Sequence, residues 1–346
     1  MSARKHHLLD ISGVRIHAVE EGEGPLVLLL HGFPELWYSW RHQLTALAQA
    51  GYRAVAIDQR GYGRSSKFWN PDAYRIHRLV DDAVGVVHAL GESTAVVIGH
   101  DWGAPVAWTA AWLHPEVFRG VVGLSIPFSG RGLMALPGSP FGERKPDELH
   151  RELAGAGADF YQTYFGSIDA PIAEFERDVR GWIKAGVFSL SGEALSQLGI
   201  DFASFDPVAL IRASALCVPH GSRLSDKFVT PAQQPNWFNE QDLDFFASEY
   251  ERTGFAGPLC YYRNLDASWQ DLAGHADKLL TVPAAFVCGD LDVCYSWGLE
   301  AIARAPERIP NYLGTTILKG CGHWTQQERV AETNAALLRF LKSIAK

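Results

Sequence analysis

The fold of this chain is decided by the stretch Gly99-His100-Asp101-Trp102-Gly103. Its two glycines have the spacing of a nucleophile elbow, a sharp turn between a strand and a helix that holds its central side chain clear of the sheet. The flanking residues agree, because 95–98 form a β-branched apolar run typical of a buried parallel strand and 105–113 are predicted to be helical. The central position of this pattern is usually serine, and here it is Asp101. We therefore expect a carboxylate to project from the end of a buried strand.

Strands and helices alternate on both sides of this turn. A hairpin about Ser12-Gly13 comes first, followed by a buried strand at 26–30, a helix at 40–50, a strand at 53–57 and a helix at 79–90. After the elbow, strands are predicted at 121–124, 284–287 and 315–318, and a closing helix at 330–341. This alternation is typical of right-handed βαβ units, so the predicted fold class is α/β with a mostly parallel, doubly wound sheet.

A long segment interrupts the alternation between the strand at 121–124 and the strand at 284–287. It contains Pro- and Gly-rich loops such as Leu136-Pro137-Gly138-Ser139-Pro140, together with polar helical pieces and many aromatic residues. An insertion that leaves a sheet and returns to it is best placed over the carboxyl ends of the strands, where α/β folds bind their ligands. We therefore predict a core domain of residues 1–125 and 276–346 and a mainly helical cap domain of residues 126–275, inserted after the sixth strand.

The composition restricts the partners of the protein. Its 346 residues include 39 acidic and 31 basic ones, which gives a net charge of -8, and there is no run of lysine and arginine. Such a chain repels nucleic acid and anionic membranes, so neither is an expected partner. No segment is apolar over the length of a membrane span, and residues 6–10 are too short an apolar segment for a signal peptide. These features predict a cytoplasmic protein.

The five cysteines are odd in number and lack the paired CxxC spacing of a zinc site. They are Cys217, Cys260, Cys288, Cys294 and Cys321. Free, buried thiols are therefore expected, with no metal and no cofactor. Cys321 lies two residues before a candidate catalytic histidine, and its interpretation as a small core residue is favoured over a thiol nucleophile.

Two further catalytic groups are expected where later strands end. In hydrolases with this elbow the chain order is nucleophile, acid, histidine. The predicted histidine is His323, which is preceded by Gly322 and follows the last strand. The acid follows the strand before it, where Asp290 and Asp292 are both available. Asp292 is favoured as the partner of the imidazole, and the other aspartate is expected to cap the next helix.

A second turn is expected to complete the site. The sequence His31-Gly32-Phe33-Pro34 follows the first buried strand, where hydrolases with this elbow build half of an oxyanion hole. The predicted donors are the backbone N–H groups of Phe33 and of Trp102, the residue directly after the nucleophile.

A carboxylate nucleophile changes the reaction that the site can complete. Serine must lose a proton to attack, whereas an aspartate side chain, with a reference pKa of about 3.9, is already ionised near neutral pH. Attack by Asp101 on a saturated carbon gives an alkyl ester, which water can hydrolyse at the aspartyl carbonyl group. His323 is then free to activate that water. The pattern predicts displacement at saturated carbon, either the opening of an epoxide or the expulsion of a halide.

Over essentially its whole length the chain resembles the epoxide hydrolases of the α/β-hydrolase fold. The matching motifs are His31-Gly32-Phe33-Pro34, Asp58-Gln59-Arg60-Gly61-Tyr62-Gly63, the elbow at 99–103 and Tyr262-Arg263-Asn264. The resemblance implies two cap tyrosines that hold and protonate the epoxide oxygen. Tyr262 matches one of them, and Tyr161 matches the other, with Tyr164 as the alternative. The chain departs from the family at Gly166, where many members have glutamine.

Two other functions stay open. Haloalkane dehalogenases share the aspartate nucleophile, and Trp102 can serve them as a halide donor, but they usually need a second polar donor where this chain has Phe33. Haloacid dehalogenases place an arginine where Trp102 stands, and a non-catalytic binding protein would not need the complete triad. The expected partners are a small hydrophobic epoxide and water, and a homodimer stays open. Candidates for shaping a bulky pocket are Trp37, Trp182, Trp237 and Trp269.

Overall fold

The structure, a computed structural model, describes residues 4–345. Its strands are β1 (Lys5–Ile11), β2 (Val14–Glu21), β3 (Leu26–Leu30), β4 (Arg53–Ile57), β5 (Ala95–His100), β6 (Phe118–Leu124), β7 (Ala158–Phe160), β8 (Cys217–Pro219), β9 (Ala284–Gly289) and β10 (Tyr312–Leu318). Within the described residues, eight of them form one sheet in the order β1-β2-β4-β3-β5-β6-β9-β10. β2 pairs antiparallel with β1 and β4, and all later neighbours pair parallel. The predicted edge hairpin and mostly parallel sheet are confirmed.

Helices connect these strands and fill the insertion. The first three are α1 (Arg41–Gln49), α2 (Ile76–Ala89) and α3 (Gly103–Leu113). The insertion contains α4 (Pro146–Ala154), α5 (Tyr161–Gly166), α6 (Asp169–Phe175), α7 (Val179–Ser189), α8 (Gly192–Leu195), α9 (Pro207–Ala213), α10 (Glu240–Thr253), α11 (Ala256–Arg263) and α12 (Leu265–Asp271). The chain ends with α13 (Val293–Arg308), α14 (Thr325–Glu328) and α15 (Val330–Ser343). Among residues 4–345, no helix is both long and apolar enough to cross a lipid bilayer.

The central strands are continuously apolar because helices cover both faces of the sheet. Successive side chains of a strand point to opposite faces. Val97 of β5 packs in the core between the sheet and helices α2 and α3, whereas its neighbours Val96 and Ile98 pack on the other face with α1 and α15. This arrangement explains why β3 and β5 are buried along their whole length. It also fixes the end of β5, and therefore the elbow, between two packed layers.

The elbow closes tightly because two of its residues are glycine. Asp101 has a positive φ of 49°, which places the turn in the left-handed region. A Cβ atom on Gly99 would overlap the carbonyl oxygen of Gly103, and a Cβ atom on Gly103 would overlap the carbonyl oxygen of Leu30. Both obstacles are backbone atoms of the central sheet and its helix, so neither can move aside. The glycine spacing is thus a packing requirement of this turn.

Gly103→Ala is therefore expected to destabilise the protein by about 3 kcal/mol or more, because the added methyl group must push β3 away from α3. The matched control is Gly274→Ala, since a Cβ atom there meets nothing within 4 Å and the φ angle is not positive. We expect the control to change the free energy of unfolding by less than about 0.5 kcal/mol. Urea denaturation measures both variants, and equal midpoints would contradict this account of the elbow.

Polar contacts join the insertion to the helices around the sheet. Arg41 of α1 forms a buried ion pair with Asp242 of α10, at 3.2 Å between Nε and Oδ1. Arg75, just before α2, pairs with Asp271 of α12. The insertion is anchored from two sides, and its helices α5 and α11 carry the side chains that face the end of β5.

Candidate active site

Asp101 lies at the turn between β5 and α3, where the sequence predicted it. Its carboxylate lines a cavity between the sheet and the insertion, and the residue is 8% exposed. The N–H of Phe33 donates a hydrogen bond to Asp101 Oδ1 at 2.6 Å. Oδ2 lies on the side of His323, at 3.4 Å from its Nε2 atom. The two oxygens therefore have different surroundings, one bound to a backbone donor and the other beside an imidazole.

A buried carboxylate that sequence analysis missed holds the turn carrying Phe33. Glu35 accepts hydrogen bonds from the N–H of Gly32 at 3.1 Å and from Gln326 Nε2 at 2.8 Å, and its Oε2 lies 2.6 Å from His100 Nδ1. Burial raises the pKa of Glu35, but the neighbouring His100 and these hydrogen bonds outweigh it and lower the pKa to about 2. Glu35 thus connects the Phe33 turn to the residue before Asp101. Nothing in its local sequence distinguishes it from a surface acid.

Trp102, whose backbone N–H is the predicted second donor, lies beside Tyr262. Its indole ring is buried and packs edge-on against Tyr262, with ring centroids 5.3 Å apart. Among residues 4–345, its indole nitrogen has no hydrogen-bond partner. The Asp101 carboxylate accepts its backbone hydrogen bond from Phe33. A role for the Trp102 backbone N–H as an oxyanion donor stays a prediction.

His323 lies between the two aspartates of the predicted triad. Its Nδ1 atom is 3.1 and 3.2 Å from the two carboxylate oxygens of Asp292, and its Nε2 atom faces Asp101. Burial lowers the pKa of His323, but the charge of Asp292 and hydrogen bonds with Asp101, Asp292 and Cys294 outweigh it and raise the pKa well above the ordinary value. Burial raises the pKa of Asp292, and the attraction of His323 reverses this and lowers it. The two aspartates therefore stabilise the protonated form of the imidazole.

The expected division of labour between the two aspartates after β9 needs a correction. The cap of α13 is Asp292 itself, whose Oδ1 accepts the N–H of Cys294 at 3.0 Å while the same carboxylate faces His323. Asp290 points elsewhere, accepting the N–H of Gly320 at 2.7 Å with Lys319 at 3.4 Å. One carboxylate can perform both tasks because each of its oxygens has two acceptor positions.

Both tyrosines predicted from the resemblance line the same cavity as Asp101 and His323. Tyr161 begins α5 and Tyr262 lies in α11, and their ring centroids are 6.0 Å apart. Burial, together with nearby negative charge, raises the pKa of both phenols well above the ordinary value, so both keep their protons at neutral pH. The hydroxyl of the alternative, Tyr164, instead donates to the buried Glu174 at 2.7 Å.

The cavity has a volume of about 510 Å³ and a mostly apolar lining. Its charged lining residues are Asp101, His323 and Lys227. Of the four tryptophans named from the sequence, Trp182 lines it. Trp297 and Trp324, which the sequence did not single out as pocket residues, line it as well. The space is large enough for an epoxide with a bulky hydrophobic substituent.

Among residues 4–345, one group of possible metal ligands overlaps the triad. Donor atoms of Asp292, Cys294 and His323 lie within 4.8 Å of one another. Burial raises the pKa of the Cys294 thiol to about 12, and the other two side chains already bond each other. A metal ligand must be a thiolate, so this chemistry does not favour a metal ion. All five cysteines are free and buried, as expected.

Comparison with known proteins first defines the class. A family model described as alpha/beta hydrolase fold matches residues 25–177, which include the Phe33 turn and the elbow. The sheet order and the position of Asp101 agree with that class. The chain is thus an α/β hydrolase with a carboxylate in the nucleophile position.

Full-length relatives then identify the family. Epoxide hydrolase B of Mycobacterium tuberculosis (strain ATCC 25618 / H37Rv) is 55% identical over 347 residues, covering 97% of this chain and 98% of that protein. Epoxide hydrolase A of the same strain is 38% identical and covers 99% of both chains. The structure of an epoxide hydrolase from an endophytic Streptomyces superposes with a TM-score of 0.89 at 45% identity, covering 99% of this chain and 96% of that one. The chain belongs to the epoxide hydrolases of the α/β-hydrolase fold, which confirms the predicted fold class and resemblance.

Proposed function

We propose that this chain hydrolyses epoxides to vicinal diols through a covalent ester on Asp101. The observation that carries the proposal is the convergence of four groups on one apolar cavity: the Asp101 carboxylate, the His323 imidazole and the phenols of Tyr161 and Tyr262. A carboxylate nucleophile opposite two protonated phenols suits a substrate with an electrophilic carbon next to a basic oxygen. The names of the relatives support the same substrate class.

In the first step, Asp101 Oδ2 attacks a ring carbon of the epoxide and the carbon–oxygen bond of the ring breaks. The oxygen takes a proton from Tyr161 or Tyr262, which leaves a hydroxyl group on the substrate and a phenolate on the protein. Oδ1 becomes the carbonyl oxygen of the ester and keeps its hydrogen bond from the Phe33 N–H. The phenolate that results is a strong base, because burial raises the pKa of both phenols.

Before the second step, His323 gives its proton to the phenolate, which restores the phenol. The neutral imidazole then takes a proton from water, whose oxygen attacks Cγ of Asp101. The negative charge that develops on Oδ1 is stabilised by the Phe33 N–H. Collapse breaks the bond between Cγ and Oδ2, and the diol oxygen takes the proton back from His323. The remaining proton of the water, now on the Asp101 carboxyl group, passes to His323 and restores the starting state of the site. Since the ester carries no charge, His323 loses one of the two carboxylates that raise its pKa, which frees the imidazole to act as a base.

The proposed domains divide these tasks. We assign residues 1–125 and 276–346 to a core that supplies Asp101, Asp292 and His323, and residues 126–275 to a cap that supplies the two tyrosines. The partners are then a small hydrophobic epoxide and water, and a monomer and a homodimer are equally compatible with the mechanism. We propose a cytoplasmic location, which the five free thiols support.

Asp292→Asn is expected to slow hydrolysis of the ester by about 100-fold or more, because the neutral amide no longer stabilises the protonated form of His323. Asp290→Asn is the matched control, since it changes the same residue type in the same loop without a contact to His323. We expect its kcat to stay within about twofold of the wild type. Single-turnover kinetics with an aryl epoxide measures both variants, and equal losses would contradict the assignment of Asp292.

A substrate panel tests the reaction class. The purified protein is given an aryl epoxide, a haloalkane and a haloacid, and diol formation and halide release are followed in parallel. We expect diol from the epoxide and no halide release from either halogenated compound. Halide release without diol formation would assign the site to a dehalogenase, and no product from any of the three would favour a non-catalytic binding protein.

A further inference from the structure

The hydroxyl group of Tyr161 contacts a buried amide. Gln162 Nε2 donates a hydrogen bond to the Tyr161 hydroxyl oxygen at 2.8 Å. Gln162 is 1% exposed, although it follows Tyr161 directly in the first turn of α5. A polar side chain is rarely buried so completely without a specific partner. This one has the proposed proton donor of the reaction as its partner.

The contact restricts where the phenolic proton can point. A phenol hydroxyl donates one hydrogen bond through its proton and accepts hydrogen bonds at its oxygen. The donated and the accepted hydrogen bond both prefer the plane of the ring. Because the Gln162 N–H approaches from one side, the proton of the Tyr161 hydroxyl points to the other side. Tyr161 lines the cavity that contains Asp101, so the direction left open leads toward the substrate.

The far end of the amide is consistent with this orientation. Gln162 Oε1 and His150 Nε2 are both buried, and neither has a hydrogen-bond partner among residues 4–345. Burial lowers the pKa of His150 to about 4, and the charges of Asp266 and Asp147, together with Gln162, oppose this effect. His150 Nδ1 lies 3.2 Å from Thr163 Oγ1. When Nδ1 accepts a hydrogen bond from the Thr163 hydroxyl, the neutral imidazole carries its own proton on Nε2. A neutral His150 with its proton on Nε2 favours the orientation of the amide in which Gln162 Oε1 points toward His150. In that orientation Gln162 Nε2 faces Tyr161.

We propose that Gln162 is a positioning residue that directs the Tyr161 proton to the epoxide oxygen. The inference rests on the proposed function, in which Tyr161 is one of the two donors. Gln162 also keeps its hydrogen bond while the proton leaves, so it stabilises the negative charge that develops on the phenol oxygen. Burial raises the pKa of Tyr161, and the Gln162 N–H acts against that increase.

Gln162→Met tests the inference, because methionine keeps the length of the side chain and removes the donor. We expect the rate constant for ester formation to fall about 10- to 100-fold, the usual weight of a hydrogen bond to a developing charge. The rate constant for ester hydrolysis should stay unchanged, since Tyr161 acts in the first step. Stopped-flow tryptophan fluorescence can follow a single turnover, because Trp182 and Trp297 line the cavity. Gln162→Leu removes the same donor and gives a second measurement if the methionine variant has a lowered melting temperature.

A double-mutant comparison separates positioning from general support of the fold. In a Tyr161→Phe background, Gln162→Met should cause no further loss, because the group that it orients is gone. In a Tyr262→Phe background, it should cause its full loss. Equal losses in both backgrounds, or wild-type ester formation in Gln162→Met alone, would overturn the inference. If the Tyr161→Phe variant forms the ester at the wild-type rate, the proposed role of Tyr161 in the reaction is wrong. This result can be told apart from the two outcomes above, because it does not involve the substitution of Gln162.

Discussion

Asp101→Ala is expected to abolish turnover, lowering kcat/KM for an aryl epoxide by on the order of 10⁴-fold or more. The reason is that Asp101 is the only carboxylate among the described residues that line the cavity. Burial raises the pKa of Cys294, which also lines the cavity, to about 12, so this thiol stays protonated and is a poor nucleophile. Asp290→Ala removes a carboxylate outside the cavity and is the matched control, with an expected change of less than about threefold.

Two measurements accompany the assay of Asp101→Ala. Circular dichroism and the melting temperature establish that the fold persists, and intact-protein mass spectrometry examines whether the epoxide adds to the chain. We expect no adduct on the alanine variant. Diol formation at more than about 1% of the wild-type rate in a correctly folded variant would contradict the assignment of Asp101 as the nucleophile.

His323→Gln is expected to form the ester and then to stall. Glutamine removes the base that activates water, whereas the first step depends on Asp101 and the tyrosines. We therefore expect a burst of one epoxide consumed per active site, a mass increase equal to the mass of the substrate, and hydrolysis slowed by about 10³-fold or more. Digestion should locate the added mass on the peptide that contains Asp101.

The pH dependence of the second step gives an independent readout of His323. The two neighbouring carboxylates raise the pKa of this imidazole in the free enzyme, and the ester removes one of them. Hydrolysis requires the neutral imidazole, so in the wild type its rate constant should rise with pH and reach a plateau. The glutamine variant should lose this dependence. His114→Gln, a substitution near the surface far from the cavity, is the control and should keep both the rate and the pH profile. A missing adduct on His323→Gln would contradict the assigned role.

The sequence predicts the central strands well because their signal is local. The strands at β3, β4 and β5 are continuous apolar runs, and the glycines of the elbow can be recognised from their spacing. Strand ends are less predictable, because pairing with a neighbour decides them. β6 begins at Phe118 rather than at residue 121, since Phe118 pairs with Ala95, and β10 begins at Tyr312, which pairs with Ala284.

The site shows the same difference between local and tertiary signals. Asp101, Asp292 and His323 follow predicted strands, and parallel strands bring their carboxyl ends together, so the triad can be placed from the sequence. Glu35 and Gln162 have no such signal. Each is recognised only when the folded chain places its side chain against a distant side chain or a reacting group. Their types alone would put them on the surface.

A single turnover in ¹⁸O-labelled water tests the covalent mechanism most directly. With enzyme in excess over epoxide, the oxygen of water should enter the Asp101 carboxylate, and the diol should contain one unlabelled oxygen from Asp101 Oδ2. The expected result is therefore unlabelled diol together with ¹⁸O in the peptide that contains Asp101. Labelled diol from the first turnover, with no label in that peptide, would mean that water attacks the epoxide directly and would contradict the ester intermediate.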